Sequence, residues 1–455
     1  MLRFYYLQCE DKLARYGTQN VIVHGNQTCY NSHLIQLDKE RRMHFQGVLG
    51  LLVLTGLAWT ISENRGKVNY YRVLAGIAVQ ISIAALLLFV PIFKSFFLFL
   101  NGFVLSLEES TRAGTSFVFG YIGGGAPPFV VKDPGPYFIL AFQALPLVLV
   151  IGALSSLFFY WRILPYIVRV FALVLQKTLN IGGALGLGAS ATIFLGMVES
   201  PLVIKPYLQE MTRSEIFSLM VCGMACIAGT VMVLYSTLLK GVIPDPLGNI
   251  LTASFIHIAA AITISRIMIP EAEKQTSGTF LPRQEANSAM DAIVKGTINA
   301  LSLLLNIVAM LIVMVALVHL VNVVLGLLPA IAGRAVTLQR LLGFVMAPVV
   351  WLFGIPWAEA QTAGYLMGTK TMLNELLAFV DLSNLPSEAL SPRSRLIMTY
   401  ALSSFANFGS LGILIGGLGS MVPERSSEIV GLGLKSLVAG TLATCMTGAV
   451  IGILQ

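Results

Sequence analysis

Two acids stand inside otherwise apolar stretches, Glu199 in 181–208 and Glu375 in 357–382. An ionisable side chain at bilayer depth costs at least about 2.5 kcal/mol on insertion scales, so each acid needs a partner and a role. Lys205 and Lys370 lie in the same stretches. On a helix, however, Glu199 and Lys205 are six positions apart and Glu375 and Lys370 five, and neither spacing puts a pair on one face. A structural ion pair is therefore the weaker reading, and contact with a substrate or coupling ion the stronger. Two later stretches, CGMACIAGTVMVLY (222–235) and SSFANFGSLGILIGG (403–417), combine glycine and small residues at membrane depth. There the backbone can unwind and turn carbonyls toward a ligand. Small residues also serve close helix packing. Asn407 and Ser410 add hydrogen-bonding groups, and Phe405 adds a stacking face, so together they describe a site for a polar aromatic ligand. His257 and His319 are weaker candidates, for proton transfer, because a lone histidine in a helix interface is usually just hydrogen-bonded.

No phosphate loop, zinc signature, Ser-His-Asp order or cofactor motif is present in the sequence. An intramembrane enzyme using Glu199 and Glu375 as acid and base, and a passive channel, are the readings that compete with a transporter. The five cysteines (Cys9, Cys29, Cys222, Cys226, Cys445) are odd in number and contain no CxxC, so neither a disulfide framework nor a metal site is expected.

The elements that must carry these residues are membrane elements. Hydrophobic residues make up 56% of the 455 and charged ones 11%, against about 25% charged in a soluble domain, which excludes a cytosolic enzyme, a coiled coil or a disordered chain. The net charge of +7 does not mark a nucleic-acid partner, because the basic residues sit between apolar spans and set orientation. Spans of about 20 residues recur near 44–62, 70–92, 137–160, 213–237, 248–269, 299–328, 395–420 and 430–454, each long enough to cross about 30 Å of hydrocarbon. The fold class is thus an all-α integral membrane protein with about eight transmembrane helices. Segments 95–120, with Glu108, Glu109 and Arg112, and 161–178, with Arg162, Arg169 and Lys177, read as helices lying in the interface. The two acid-bearing stretches, at roughly 40 Å as single helices, are too short to cross twice and read as re-entrant hairpins. Lys435 is expected to snorkel. Residues 1–43 form a polar N-terminal extension without the apolar core of a secretory signal.

An internal repeat orders these elements. Arg213-Ser214 recurs as Arg393-Ser394 and Gly229-Thr230 as Gly409-Ser410, both 180 positions on, while Glu199 and Glu375 differ by 176. Each half runs hairpin, Arg-Ser, a glycine-interrupted span and a further span, the inverted-repeat logic of secondary transporters. Basic residues at Arg65, Lys67, Arg72, Arg162, Arg169, Lys177, Lys274, Arg283, Lys295 and Arg425 mark the inner side, against Lys132, Lys240, Arg334 and Arg340 outside. Both termini are then outside, with the first hairpin opening inward and the second outward.

GMVESPLVIKPYL (196–208), GTKTMLNELLAF (368–379) and SSFANFGSLGILIGGLGSMVPERSSEI (403–429) resemble the concentrative nucleoside transporters, from about residue 44 to the end. The resemblance implies a plasma-membrane homotrimer that imports nucleosides with a cation. It divides the chain into scaffold helices and an interfacial helix (44–160), a first transport half (161–270), a further interfacial helix and scaffold span (271–356), and a second transport half (357–455). The family's sugar-binding acid falls on Glu375 beside Asn407 and Ser410, its stacking aromatic on Phe405, its first-hairpin acid on Glu199, and a base-contacting position on Val231. Where the family reads Gly-Gln-Thr-Glu or Gly-Gln-Ser-Glu, this chain has Gly196-Met197-Val198-Glu199. Two base-directed polar side chains are thereby lost, which implies weaker base discrimination or a different ligand. The sodium-coupled members' cation ligands fall on Thr192, Leu195, Cys226 and Ile227, where a thiol replaces a hard oxygen. Sodium and proton coupling both remain open at this point.

Overall fold

The computed structural model describes residues 44–129, 139–278, 286–330, 333 and 335–455. Residues 1–43, Lys132, Arg283 and Arg334 lie outside that set. Among the described residues there is no β-strand beyond one isolated bridge, between Lys240 and Ile243. Among the described residues, seven helices or broken helix pairs are long and apolar enough to cross a bilayer. They are 70–89, 91–123, 140–160, 213–238, 246–268, 289–325 and 423–454.

The count differs from the eight expected spans at particular places. The first expected span, α1 (His44–Thr60), is a shorter helix. It is followed by α2 (Tyr70–Phe89), capped by the Asn69 side chain on the Arg72 N–H. The stretch expected to lie in the interface is one helix, α3 (Pro91–Phe119), whose length and composition also suit a crossing. Pro91 opens it, because a helix's first position needs no N–H. α4 (Leu147–Tyr160) packs against the long α11 (Ala289–Leu325). Between them, Gly152 faces Ala300 and Gly296 faces Ser156, so the two backbones approach closely.

The remaining elements repeat. The first half contains α5 (Ile163–Leu179), α6 (Gly183–Leu195), α7 (Glu199–Val203), α8 (Arg213–Ala225), α9 (Gly229–Leu238) and α10 (Pro246–Met268). The second contains α12 (Leu338–Trp351), α13 (Trp357–Met372), α14 (Glu375–Asn384), α15 (Pro392–Leu402), α16 (Phe408–Met421) and α17 (Ser426–Leu454). Both expected hairpins are helix–break–helix pairs whose arms touch. Both glycine-bearing spans are broken, at 226–228 and 403–407. The buried apolar core runs through α6, α8, α10, α15 and α17.

Polar side chains fasten the ends of these elements. Thr212 and Glu215 form a capping box at α8, and Ser391 caps α15 while also bonding Glu359 at 3.0 Å. Arg393 donates to the carbonyls of Gly354 and Gly452 at 2.6 and 2.5 Å. Lys435 does not simply snorkel, because it pairs with Glu63 at 2.6 Å, and Glu63 also pairs with Arg213 at 3.0 Å. The expected helix-interface hydrogen bond of His257 is not made: both ring nitrogens are buried without a partner.

Candidate functional site

The second acid is held by three elements at once. Glu375 is the first residue of α14, after the Asn374 side chain caps that helix on the Leu377 N–H at 2.9 Å. Its carboxylate is 5% exposed. The Tyr235 hydroxyl donates to Oε1 at 2.6 Å, and the Asn407 amide donates to Oε2 at 2.9 Å. Asn407 in turn caps α16, its Oδ1 accepting from the Ser410 N–H at 2.7 Å, which fixes the amide so that its NH₂ faces the acid. Asn407, Ser410 and Glu375 are therefore brought together as the sequence predicts. Val231 is buried one turn before Tyr235 and shares its face of α9.

Glu375 and Lys370 make no ion pair among the described residues. The Lys370 ammonium instead donates to the Ala401 carbonyl at 3.0 Å and to the Thr444 hydroxyl at 3.2 Å. It thus satisfies one of the last carbonyls of α15, where a positive charge also suits the helix dipole. The two breaks touch as well: the Phe405 N–H donates to the Cys226 carbonyl at 3.2 Å, so broken backbone from one half pairs with broken backbone from the other.

The first acid lies at the tip between α6 and α7. Gly196 makes that turn at φ +95°, a conformation that side-chain-bearing residues rarely adopt. Glu199 is exposed and lines a cavity of about 1130 Å³ together with Phe194, Leu195, Lys205 and Thr230. Met197 is buried at 7% exposure, with its Cβ set against Gly223 of α8, and Val198 lies beside Gly417 of α16. Both side chains meet glycines of the broken helices.

The four positions on which the resemblance places a cation site lie on elements that meet, since Gly196 abuts Ala228 and Gly229 abuts the Phe194 carbonyl. Their side chains are already engaged. The Thr192 hydroxyl lies 2.9 Å from both the Gly188 carbonyl and the Ser200 hydroxyl, tying α6 to α7. The Cys226 thiol points at the Ser254 carbonyl, 3.6 Å away. Leu195 and Ile227 offer backbone carbonyls only. No cluster of three or more His, Cys, Asp or Glu able to hold a metal occurs among the described residues. Tyr235 and Ser200 are functional candidates that residue-type reasoning passed over. The one available signal was Tyr235's place four residues after Val231.

Two broken helices, two acid-bearing helical pairs and a site where both halves meet define a multi-pass helical membrane transporter. The comparisons agree. Three family models match: Na+ dependent nucleoside transporter N-terminus over 49–122, nucleoside recognition over 141–241, and Na+ dependent nucleoside transporter C-terminus over 249–452. The chain belongs to the Na+ dependent nucleoside transporter family, and it is a transporter, not an enzyme. It is 34% identical to the uncharacterized transporter YutK of Bacillus subtilis, covering 90% of this chain and 98% of that one. It is also 34% identical to the nucleoside permease NupC of Helicobacter pylori, covering 89% and 96%. The solved structure of CNTnw in an inward-facing substrate-bound state matches with a TM-score of 0.82 at 30% identity, covering 90% of this chain and 98% of that one.

Proposed function

We propose that this protein imports nucleosides across the plasma membrane by symport with a cation, as a homotrimer. The observation that carries the reading is the Glu375–Asn407 pair at the meeting of the two broken helices, 2.9 Å apart and fixed from both sides. A buried carboxylate with lone pairs beyond its two protein partners accepts hydrogen bonds from sugar hydroxyls, and the half-buried Phe405 ring offers a stacking face. Glu199, open to the cavity, binds from the other hairpin or carries the coupling charge. Met197, Val198 and Val231 form the apolar side of the base pocket, with broad base tolerance as the consequence. The hairpins are re-entrant. They move with α8, α9, α15 and α16 against a scaffold that includes α4 and α11.

The coupling ion is the proton. With the Thr192 hydroxyl spent on Gly188 and Ser200, and a thiol at Cys226, the positions aligned with the sodium site offer few free hard oxygens. A specific observation favours a second reading, a different small polar ligand: Met197 and Val198 meet helix glycines, at positions where the resemblance implies polar side chains. One experiment tests all of this. Labelled uridine and adenosine uptake is measured in proteoliposomes under an imposed proton gradient and, separately, an imposed sodium gradient. Proton-driven accumulation is expected. Sodium-only accumulation refutes the coupling assignment, and no uptake of either nucleoside by folded protein favours the different ligand.

A further inference from the structure

Glu375 takes two hydrogen bonds from within the protein, and they are not alike. Asn407 is itself locked as a helix cap, its other amide atom held by the Ser410 N–H. Tyr235 has no such second duty among the described residues. Its hydroxyl reaches the acid at 2.6 Å, and its ring rests on Phe379 with centroids 5.1 Å apart. It stands on α9, in the first half, while Glu375 begins α14, in the second. Among the described residues the hydroxyl is therefore the one hydrogen bond to the acid that arises in the other repeat, from a buried ring seated on Phe379.

We propose that Tyr235 is a positioning residue that stands in for a sugar hydroxyl on Glu375. This inference rests on the transport reading above. A symporter must carry its binding site across the membrane twice per cycle, once with cargo and once without. A buried carboxylate oxygen left without a donor in a low-dielectric interior is costly, even when its other oxygen keeps one. With substrate bound, sugar hydroxyls supply donors. On the return step the protein must supply them itself, and the Tyr235 hydroxyl is a donor that is always present. Tyr235 thus lowers the cost of the return step, while adding little to the loaded step.

Net uptake into empty vesicles requires the return step, whereas exchange of internal for external substrate does not. Tyr235→Phe removes only the hydroxyl and keeps the ring on Phe379. A hydrogen bond to a charged group contributes about 1.5–3 kcal/mol, so net uridine uptake is expected to fall by about tenfold or more. The ratio of net uptake to uridine–uridine exchange in the same proteoliposomes should fall by about the same factor, because exchange omits the return step. Comparable melting temperatures of parent and variant in detergent establish that the fold is intact. An equal fall in net uptake and exchange would make Tyr235 a structural residue and overturn the inference, as would no fall in either. Failure of the parent protein to move uridine in either mode would overturn the transport reading, and this inference with it.

Discussion

Side chains at the site act through geometry that single substitutions can probe. Glu375→Gln keeps the shape of the acid but removes its charge, and one of its two terminal atoms becomes a donor facing the Tyr235 hydroxyl or the Asn407 amide. Uridine uptake should fall by at least about tenfold, the scale set by a hydrogen bond to a charged group, and a binding measurement by isothermal titration should show the same loss. The cation question is also a matter of single side chains. The paired substitution Thr192→Asn with Cys226→Ser replaces a committed hydroxyl with an amide carbonyl and a thiol with a hard oxygen, so sodium dependence of uptake should appear or strengthen. Identical uptake with and without sodium in that variant would count against the assignment of these positions. Sequence reasoning singled out Glu199, Glu375, Asn407 and Ser410 as candidates because a polar group in an apolar span has few innocent explanations, and Phe405 for its stacking face. It passed over Tyr235, because a tyrosine in an apolar helix is ordinary until the position of its hydroxyl is known.

At the scale of elements, the first hairpin depends on a turn and a tie. A β-carbon at Gly196 would sit 2.8 Å from that of Ala228 and 3.1 Å from the Glu199 carboxylate, on a backbone at φ +95°. Gly196→Ala should therefore lower stability by about 1–3 kcal/mol, read as a lower melting temperature, and should impair uptake more than exposed substitutions do. The bounds of both hairpins were legible to within a few residues from length and glycine content, as were the breaks in the two glycine-bearing spans. The nature of α3 was not, because 29 residues with four charges satisfy both an interfacial and a crossing helix. Lys435 was misread for a related reason. Its partner Glu63 lies 372 positions away, beyond any local pattern.

The whole molecule is laced at one end by Glu63, Arg213, Lys435, Glu428 and Arg425, joining the start of α8, the start of α17 and the segment after α1. The Arg213 hydrogen bond is the largest influence holding the Glu63 carboxyl below its usual range. A lowered folded-state value means that the stabilisation is complete above the unfolded-state value, near 4.3, and is lost as pH falls through the folded-state value. The melting temperature of the parent protein should thus exceed that of Glu63→Gln at neutral pH, and the gap should close at strongly acidic pH. The partners are partly exposed, so the gap should be small and should shrink with added salt. At the same scale, α11 buries little of its length within one chain, whereas the 213–238 pair is almost wholly buried. If the proposed homotrimer forms through these exposed helices, cross-linking in membranes should capture a trimer and no larger species.

Composition and periodicity alone determined that this is a helical membrane protein. Insertion requires apolar runs of set length, and the cost of placing acids inside them singles out the residues that matter. The repeat was legible because both halves keep the same order of break, acid and Arg-Ser. What each acid touches was decided only by tertiary structure. Glu375 receives Tyr235 and Asn407 from elements 140 and 32 positions away, Lys370 turns to a helix end, and Glu199 is left facing a cavity. Hydrogen bonds are short-ranged and directional, so which groups meet depends on how the two halves pack, and no pattern along the chain encodes that at the resolution of one side chain.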